Sequence, residues 1–457
     1  MDFSSFDRLV DERTSQWARE LSDYCRIASE TGRPQELLQA ADWTQERLER
    51  LGAVTHVIRL EGVPPLVLGQ IGSGAARLIC VQHYDVVPAA PLELWTTPPF
   101  EPTIRDGHLF ARGTADNKGI FLMRLHAVEA WLATIGELPC QVRFLVEGEE
   151  ESGSRHLSEL LAMRPEFLRA DAALNETGYI DPAGRPMLTC GLRGLLYVDL
   201  SVRALSSDTH SEMAMLLPNA AERMAQALVT LKDRSGRVAI EGFYDDVLAP
   251  TGEQLAHLRA FTFEEAALKR IHGAEAFVGG RTGGEAQVAT MFEPTCNISG
   301  ITSGWSGADV KTVIPAQAHA KLDMRLIPNQ DPHRILRALR GHFDRHGFRD
   351  VEIRPLAAAF PWWTPLLDPL VDAAAEACGA MFEMPAQRLV SSMSTAPMHH
   401  VCAPHRLPAV GFGCNRPEDR SHAPNENIGI ASLTHGVKVF GRFLERFARI
   451  PGAKRSY

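Results

Sequence analysis

The sequence predicts an α/β protein with a mixed, mostly parallel sheet and an inserted α+β sandwich. Short apolar strand patterns alternate with helical patterns before residue 190, and the same texture returns in the last hundred or so residues. In between, strands alternate apolar and polar residues, which is typical of strands with one exposed face. A length of 457 residues also suits two cores better than one. We therefore predict one domain formed by residues 1–190 and 358–457, and a second domain inserted at residues 191–357.

The first part of the chain begins with two helices and continues into strands. Residues 6–29 and 34–51 have amphipathic helical patterns, and the second ends at Gly52, a residue that readily adopts the left-handed backbone of a helix stop. Apolar runs bounded by turn residues predict strands, and apolar residues at helical spacing predict a further helix. The strands are predicted at residues 54–59, 66–71, 77–82 and 141–147, and the helix at residues 117–132.

The inserted domain has a different texture. Residues 195–204 and 319–328 alternate apolar and polar side chains, so we predict half-exposed strands there. Helical patterns at 218–232 and 331–346 and a strand at 350–355 complete a strand-helix-strand-strand-helix-strand order, which forms a small α+β sandwich. The first domain resumes with a helix at 366–379, a strand near 407–412 and a helix at 429–447.

The composition argues against several classes of protein. A net charge of −9 disfavours a nucleic-acid partner, because a phosphate binder needs a basic face. No apolar stretch is long enough to cross a bilayer, so we expect no membrane partner, and the polar start of the chain lacks a signal-peptide pattern. The eight cysteines form no CxxC pair and several lie in apolar runs, which predicts buried free thiols in a cytoplasmic protein.

Side chains that could carry chemistry cluster at four places, three of which follow a predicted strand or open a helix. They are His83-Tyr84-Asp85, Asp116 in a glycine-flanked run, the carboxylate run Glu147–Glu151, and His422 in a polar loop. Each has an ordinary alternative, since HxD pairs are common, an Asp before a helix is often an N-cap, and a charge run is usually a solvated face. The carboxylate run fits that alternative poorly, because it follows a buried strand at the sheet edge where open α/β sheets bind ligands.

Taken together, the clusters contain the ligands of a metal site. Two imidazoles and several carboxylates without a thiolate suit catalytic zinc or another divalent transition ion. Crowded carboxylates repel one another unless cations offset them. A site with two metal ions needs a bridging carboxylate, capping ligands and a spare base, and the sequence contains this inventory.

Five motifs carry a family resemblance. In the order HYDVVP, ARGTADNKG, EGEEESGS, NETGY and SHAPNE, they resemble the M20 metallopeptidase family with its co-catalytic zinc ions, over residues from about 75 to 430. The stretch GADVKTVIPAQAHAKLDMRLIPNQDP is similar to the dipeptidase branch. The resemblance implies a catalytic domain, interrupted by a lid or dimerisation domain, that cleaves an amide or peptide bond in a small peptide-like or N-acyl amino acid substrate.

The resemblance also implies two zinc ions per chain, with Co²⁺ or Mn²⁺ as possible replacements. His83, Asp116 and Glu176 would hold one ion. Asp116, Glu151 and His422 would hold the other, so that Asp116 bridges the two. The peptide bond after Asp116 is often cis in the family and is expected to be cis here.

Further roles follow from the same motifs. Asp85 would orient the imidazole two positions before it, and Glu150 would be the general base for a hydroxide that bridges the ions. His210 resembles a histidine that reaches the partner subunit's site and steadies the oxyanion, which implies a homodimer through the inserted domain. Arg325 resembles the residue that holds a substrate carboxylate, and Thr312 resembles a hydroxyl near the substrate.

Two stretches depart from the dipeptidase branch. A Gly-Gly-Ser-like turn that holds the substrate's carboxylate is replaced by Ser392-Met393-Ser394-Thr395, which leaves Ser394 and Thr395 as the substrate-binding candidates. After His210, the bulky run Glu212–Leu216 stands where the family has glycines. Both changes favour a specialised amide, such as an N-acyl or peptide-like metabolite, over plain dipeptides, unless neighbouring loops compensate.

Three other functions fit parts of the sequence. A non-catalytic relative would need a lost ligand or base, and none is lost. A serine amidase using Ser391–Ser394 would need a nucleophile-elbow pattern, which those serines lack. A metal-dependent acyltransferase would use the same residues, because an amine could attack the same carbonyl.

Overall fold

The computed structural model describes residues 1–176, 178–261 and 263–450. The chain divides into two compact units. Unit 1 consists of Met1–Cys190, Trp363–Val390 and the chain from Ala396 onward, and unit 2 consists of Gly191–Trp362 and Ser391–Thr395. The short segment Ser391–Thr395 thus packs with unit 2, although it lies within the C-terminal part of the sequence. That the inserted unit acts as a lid or in dimerisation stays a prediction.

The elements below are those of the described residues. The helices are α1 (Ser4–Cys25), α2 (Pro34–Arg50), α3 (Lys118–Ile135), α4 (Leu157–Ala162), α5 (Ala220–Val229), α6 (Gly252–Arg259), α7 (Glu265–His272), α8 (Gly283–Phe292), α9 (Pro332–Arg345), α10 (Pro369–Phe382), α11 (Met398–Cys402) and α12 (Ile430–Ala448). The strands are β1 (Val54–Ile58), β2 (Leu66–Ile71), β3 (Arg77–His83), β4 (Thr103–Arg105), β5 (His108–Phe110), β6 (Gln141–Glu147), β7 (Ala172–Leu174), β8 (Tyr179–Ile180), β9 (Pro186–Thr189), β10 (Gly191–Leu192), β11 (Gly194–Arg203), β12 (Thr209–His210), β13 (Asn297–Ser303), β14 (Val313–Ile314), β15 (Gln317–Leu326), β16 (Glu352–Ala359), β17 (Trp362–Trp363), β18 (Gln387–Leu389), β19 (Ala409–Val410) and β20 (Asn427–Gly429).

Unit 1 is built on a sheet with the strand order β1-β2-β6-β3-β7-β19. Strands β6, β3, β7 and β19 run parallel, while β1 and β2 add antiparallel pairings at one edge. In the centre, β3 is buried from Leu78 to His83, because strands flank it and helices cover the sheet. The predicted α/β class with a mostly parallel sheet is confirmed.

Helices α1, α3, α10 and α12 pack against one another in unit 1, and α2 packs on β1 and β2. Helix α3 is buried on nearly all sides, as its predominantly apolar sequence requires. Its first turn directly follows Asp116, so the chain enters the protein interior at this predicted ligand.

Unit 2 contains an antiparallel sheet with the strand order β13-β15-β11-β16. Helices α5 and α9 pack on it, and apolar side chains such as Val198, Leu322 and Phe343 form the core between them. Both helices begin with side-chain caps, Asn219 accepting from two backbone N–H groups and Asp331 likewise. The burial of β11 alternates along its length, in agreement with the predicted half-exposed strand.

Helices α6, α7 and α8 occupy a stretch of unit 2 for which the sequence predicts no element. Helices α6 and α8 are only weakly amphipathic and α7 is only eight residues long, so the apolar pattern that usually identifies a helix is weak or short there.

All eight cysteines are buried and free, which confirms the expected thiols. Among the described residues, every helix is too short or too polar to traverse a bilayer.

Candidate metal centre

Three neighbouring parallel strands end at the same edge of the unit 1 sheet. His83 is the last residue of β3, the run Glu147–Glu151 begins at the end of β6, and Glu176 lies two residues beyond β7. Because β6, β3 and β7 are adjacent and parallel, their carboxyl ends carry these side chains to one place. The sheet thus brings together groups that are far apart in the sequence.

Asp116 joins this group from the loop before α3. One of its carboxylate oxygens, Oδ1, lies 3.1 Å from His83 Nε2, and the other, Oδ2, lies 3.2 Å from His422 Nε2. The Asp116–Asn117 peptide bond is cis, as the family resemblance implied. Asp116 therefore stands between the two imidazoles, with one oxygen directed at each.

His422 reaches the group from a loop in the C-terminal part of unit 1. Its Nε2 also lies 3.1 Å from Glu151 Oε2. The backbone of His422 is left-handed, with φ of 63°, a conformation in which histidine is enriched among non-glycine residues. Its side chain is 52% exposed, so the centre is open to solvent on this side.

Glu150 and Glu176 complete the cluster. His83, Glu150 and Glu176 offer ligand atoms within 4.8 Å of one another, and so do His83, Asp116 and Glu151. Glu150, the expected general base, therefore shares one of these sets with His83 and Glu176.

Asp85 is fully buried behind the first imidazole. His83 Nδ1 lies 3.4 Å from Asp85 Oδ1 and 3.0 Å from the Asp85 carbonyl oxygen. The Asp85 carboxylate also accepts the backbone N–H groups of Glu150, at 3.3 Å, and Glu151, at 3.0 Å. The Asp85 carboxylate thus positions both the His83 imidazole and the backbone of Glu150 and Glu151.

Crowding of the acidic side chains shifts the pKa values of several groups in the cluster. Burial and the nearby Glu176 raise the pKa of Glu150, and burial together with Asp116 and Glu151 raises the pKa of Glu176 to about 7. Hydrogen bonds with Asp116 and Glu151 raise the pKa of His422 to about 10. Glu150 and Glu176 thus resist ionisation, whereas, despite its burial, Asp116 has a pKa that is lowered by the hydrogen bonds with His422 and His83. Acids that resist ionisation beside an imidazole that retains its proton are the response of a carboxylate cluster that needs positive charge.

Two buried oxygens in the cluster accept no hydrogen bond from the described residues. Oε1 of Glu151 and Oε2 of Glu176 are both buried without a hydrogen bond. Buried carboxylate oxygens are normally paired, because leaving them desolvated is costly. Together with two imidazole nitrogens and the absence of thiols from the cluster, these free oxygens fit divalent metal ions.

Glu426 was not recognised as a functional residue from the sequence. Its buried carboxylate accepts the backbone N–H groups of Gly113, Ala115 and Asp116 at 2.9 to 3.1 Å and a 2.6 Å hydrogen bond from Arg112 Nη1. It therefore fixes the loop that carries Asp116. In the sequence, Glu426 is visible only as an acidic residue four positions after His422. The groups that it binds lie more than 300 positions earlier in the chain, so no local pattern connects them.

A second set of hydrogen bonds that holds the Asp116 loop was also not predicted from the sequence. Gln82 Nε2 donates to Asn117 Oδ1 at 2.8 Å, and both side-chain amides donate to the backbone oxygen of Glu176 at 3.2 Å. These bonds connect the loop of Asp116 with the end of β7.

The predicted substrate-binding residues all belong to unit 2, where each has a side-chain partner. Thr312 Oγ1 lies 3.1 Å from His210 Nε2, where β12 pairs with β14. Arg325 Nη1 donates to Thr395 Oγ1 at 3.0 Å, and Ser394 Oγ lies 2.8 Å from Ser392 Oγ in the same short segment.

Three of the bulky residues at the two departures from the family pattern are exposed. Met393 is 66% exposed, and Met215 and Leu216 are 86% and 72% exposed. Exposed apolar side chains of this size are available to a ligand or a partner.

Comparison with known proteins finds one family along most of the chain. Residues 80–446 match Peptidase family M20/M25/M40. The chain is 26% identical to the human Beta-Ala-His dipeptidase over 96% of its length and 92% of the relative. It is 26% identical to the Cys-Gly metallodipeptidase dug1 of Schizosaccharomyces pombe, with 98% of each chain covered.

Solved structures agree with this match. The M20 family metallo-carboxypeptidase Sso-CP2 from Sulfolobus solfataricus superposes with a TM-score of 0.90 at 32% identity, covering 94% of this chain and 99% of that one. Human carnosine dipeptidase 1 superposes with a TM-score of 0.80 at 25% identity, covering 98% and 100%.

Proposed function

The chain belongs to peptidase family M20/M25/M40, and we propose that it hydrolyses the amide bond of a short peptide or N-acyl amino acid that ends in a free carboxylate. The observation that supports this most directly is the convergence of two imidazoles and several carboxylates around Asp116. The names of similar proteins, two dipeptidases and a carboxypeptidase, favour hydrolysis over acyl transfer and over a non-catalytic role.

The proposed metal ligands are the five residues expected from the sequence. His83 and Glu176 would bind one ion, Glu151 and His422 the other, and Asp116 would bridge them, which its two oxygens at 3.1 and 3.2 Å from the imidazoles support. When bound, a pair of divalent ions polarises the substrate carbonyl and lowers the pKa of water. Zinc is the proposed metal, with cobalt and manganese as alternatives that metal analysis of the purified protein separates.

Glu150 is the proposed general base. Its backbone N–H donates to Asp85 Oδ1, and its carboxylate lies within 4.8 Å of ligand atoms of both His83 and Glu176. In the proposed reaction its carboxylate accepts a proton from the attacking water and returns that proton to the leaving nitrogen.

The residues of unit 2 are proposed to hold the substrate. The Arg325 guanidinium would bind the terminal carboxylate, next to the hydroxyls of Ser394 and Thr395. The His210 imidazole, beside Thr312, would donate a hydrogen bond to the carbonyl oxygen as negative charge develops there.

Assembly and location are part of the same proposal. A homodimer through unit 2 is supported by its edge strand β13, on which Ile298 and Ile301 are 41% and 61% exposed. Analytical ultracentrifugation tests it, and a monomer at micromolar concentration would contradict it. The buried free thiols support a reducing compartment such as the cytoplasm.

The substitution Glu150→Gln tests the proposed function. We expect the variant to bind the same number of zinc ions as the wild type and to lose at least about a hundredfold in kcat, the contribution typical of general acid–base catalysis. The matched control is Glu149→Gln, because Glu149 belongs to the same acidic run but pairs with His156 at 2.9 Å. Full activity of Glu150→Gln on a peptide that the wild type cleaves would exclude Glu150 as the base.

A further inference from the structure

Unit 2 contains a large cavity whose lining includes none of the proposed metal ligands. Residues of α7 and α8, of the loop after α5 and of the segments next to β11 and β13 line it, together with Met393. Its volume is about 870 Å³, within the range of pockets that hold small organic molecules. The space is therefore sufficient for the terminal residue of a peptide or for a whole small acid.

Basic side chains dominate the polar lining of this cavity, although the net charge of the chain is −9. The basic residues are Arg193, Lys232, Arg237, Arg281 and Arg325, and the acidic ones are Glu285 and Glu293. Arg281 is neutralised by Glu293 at 2.6 Å, and Arg325 Nε lies 3.2 Å from Asp323. Among the described residues, the other three basic side chains and Glu285 have no ion pair, so the unpaired basic groups of the cavity outnumber the unpaired acid by three to one.

Arg193 is the most deeply placed of these three. It is only 4% exposed, and its Nη2 donates to the backbone oxygen of Thr290 at 2.8 Å, but its Nε is buried without a partner. Burial and the neighbouring Arg325 lower the pKa of this guanidinium. A buried guanidinium without a carboxylate is unfavourable, and an anion that entered the cavity would offset that cost.

Much of the remaining lining is apolar, and it includes three aromatic rings. Tyr244, Phe263 and Phe277 line the cavity, and the last two rings lie 6.0 Å apart. Leu268 of α7 also faces it, and no residue of that helix is fully buried. Leu268 therefore borders the cavity instead of a filled core, so a ligand with an apolar body would add packing contacts there.

We propose that this cavity binds a carboxylate that is carried on a bulky apolar or aromatic group. The inference rests on the proposed function in one respect, since Arg325 lines the cavity and is the residue proposed to bind the substrate's terminal carboxylate. The apolar group is then the side chain of the C-terminal residue of the substrate. The enzyme selects peptides or N-acyl amino acids that end in phenylalanine or leucine over those that end in glycine.

Direct binding tests the cavity without any turnover. Hydrocinnamate combines a carboxylate with a phenyl ring, hydrocinnamide lacks the charge, and propanoate lacks the ring. By titration calorimetry on the metal-loaded protein, we expect hydrocinnamate to bind at least about tenfold more tightly than either of the others. The substitutions Phe277→Ala and Lys232→Met should each weaken it about tenfold. The controls Val229→Ala and Arg349→Gln change exposed residues of unit 2 that do not line the cavity, and should bind as the wild type does.

Measurements of peptide hydrolysis distinguish a failure of this inference from a failure of the proposed function. With Ala-Phe, Ala-Leu and Ala-Gly, we expect kcat/KM to be at least about tenfold lower for the glycine peptide, and Phe277→Ala to remove that preference. Hydrolysis with equal rates for all three, or unchanged binding of hydrocinnamate in Phe277→Ala and Lys232→Met, overturns the inference and leaves the proposed function intact. If no peptide or N-acyl amino acid is hydrolysed, the proposed function fails, and the binding experiment alone decides whether the cavity takes the apolar acid.

Discussion

Replacing Glu426 by glutamine probes how strongly the loop of Asp116 depends on one buried carboxylate. Oε1 accepts the N–H groups of Ala115 and Asp116, while Oε2 accepts those of Gly113 and the Arg112 side chain. In Glu426→Gln one oxygen becomes an NH₂ group. Whichever way the amide is turned, two donors therefore face a donor.

The size of the effect follows from these contacts. Each lost hydrogen bond to a charged group contributes roughly 1.5–3 kcal/mol, and a buried arginine that loses its carboxylate costs roughly 3–5 kcal/mol. Since these estimates overlap, we expect the free energy of unfolding to fall by about 3–5 kcal/mol. Because the loop carries a proposed metal ligand, we also expect zinc affinity to fall by about 10- to 100-fold.

Two measurements test this reasoning. Equilibrium urea unfolding followed by tryptophan fluorescence reports stability, and competition with a chelator reports zinc affinity. The matched control is Glu418→Gln, because Glu418 lies in the same part of the chain but is exposed. An unfolding midpoint and zinc affinity equal to those of the control would show that the carboxylate does not hold the loop.

Three further predictions address other parts of the molecule. Burial and His346 lower the pKa of His342 from 6.5 to about 4, so the folded state resists protonation. Stability is full above pH 6.5 and declines as the pH falls toward 4; at about pH 5 the loss is at most roughly 2 kcal/mol, and His342→Gln should remove it from urea-unfolding curves. Since all eight thiols are buried, the native protein should not react with Ellman's reagent within minutes but should release eight equivalents in denaturant, and rapid labelling of the native protein would contradict the packing. A Cβ on Gly119 would meet the Thr114 carbonyl oxygen at 2.0 Å, so Gly119→Ala should lower stability by roughly 1–3 kcal/mol and weaken zinc binding. Gly252→Ala, where nothing lies within 4 Å, should do neither.

Much of the fold could be predicted because periodicity and turn residues report local structure directly. The run 77–82 lies within β3, and the helix predicted at 117–132 corresponds to α3. Strand ends were also informative, since the runs before His83 and Glu147 were predicted as strands of a mostly parallel sheet, whose carboxyl edge binds ligands. That the two strands are neighbours is seen only in the structure, and the full ligand set was expected from the family resemblance.

Other features depend on contacts that no local pattern encodes. Glu426 and the amide pair Gln82 and Asn117 act on backbone groups that are distant in sequence. Helices α6 and α8 were missed because their apolar residues follow only a weak helical period, and α7 was missed because it is only eight residues long. The roles of the individual metal ligands stay predictions, as do the assignments of Glu150 as the general base and Glu151 as a ligand.

Because the segment Ser391–Thr395 belongs to unit 2, the inserted domain cannot be excised or transferred as one continuous stretch of sequence. The polypeptide passes from one unit to the other four times instead of twice, because this pentapeptide packs with residues 191–362. A fragment cut at the two outer junctions would lack the backbone acceptor for Arg193 and the hydroxyl beside Arg325. Transplanting the insertion into a homologous host would therefore require grafting the pentapeptide too, and the two stretches are expected to have changed together as the protein diversified.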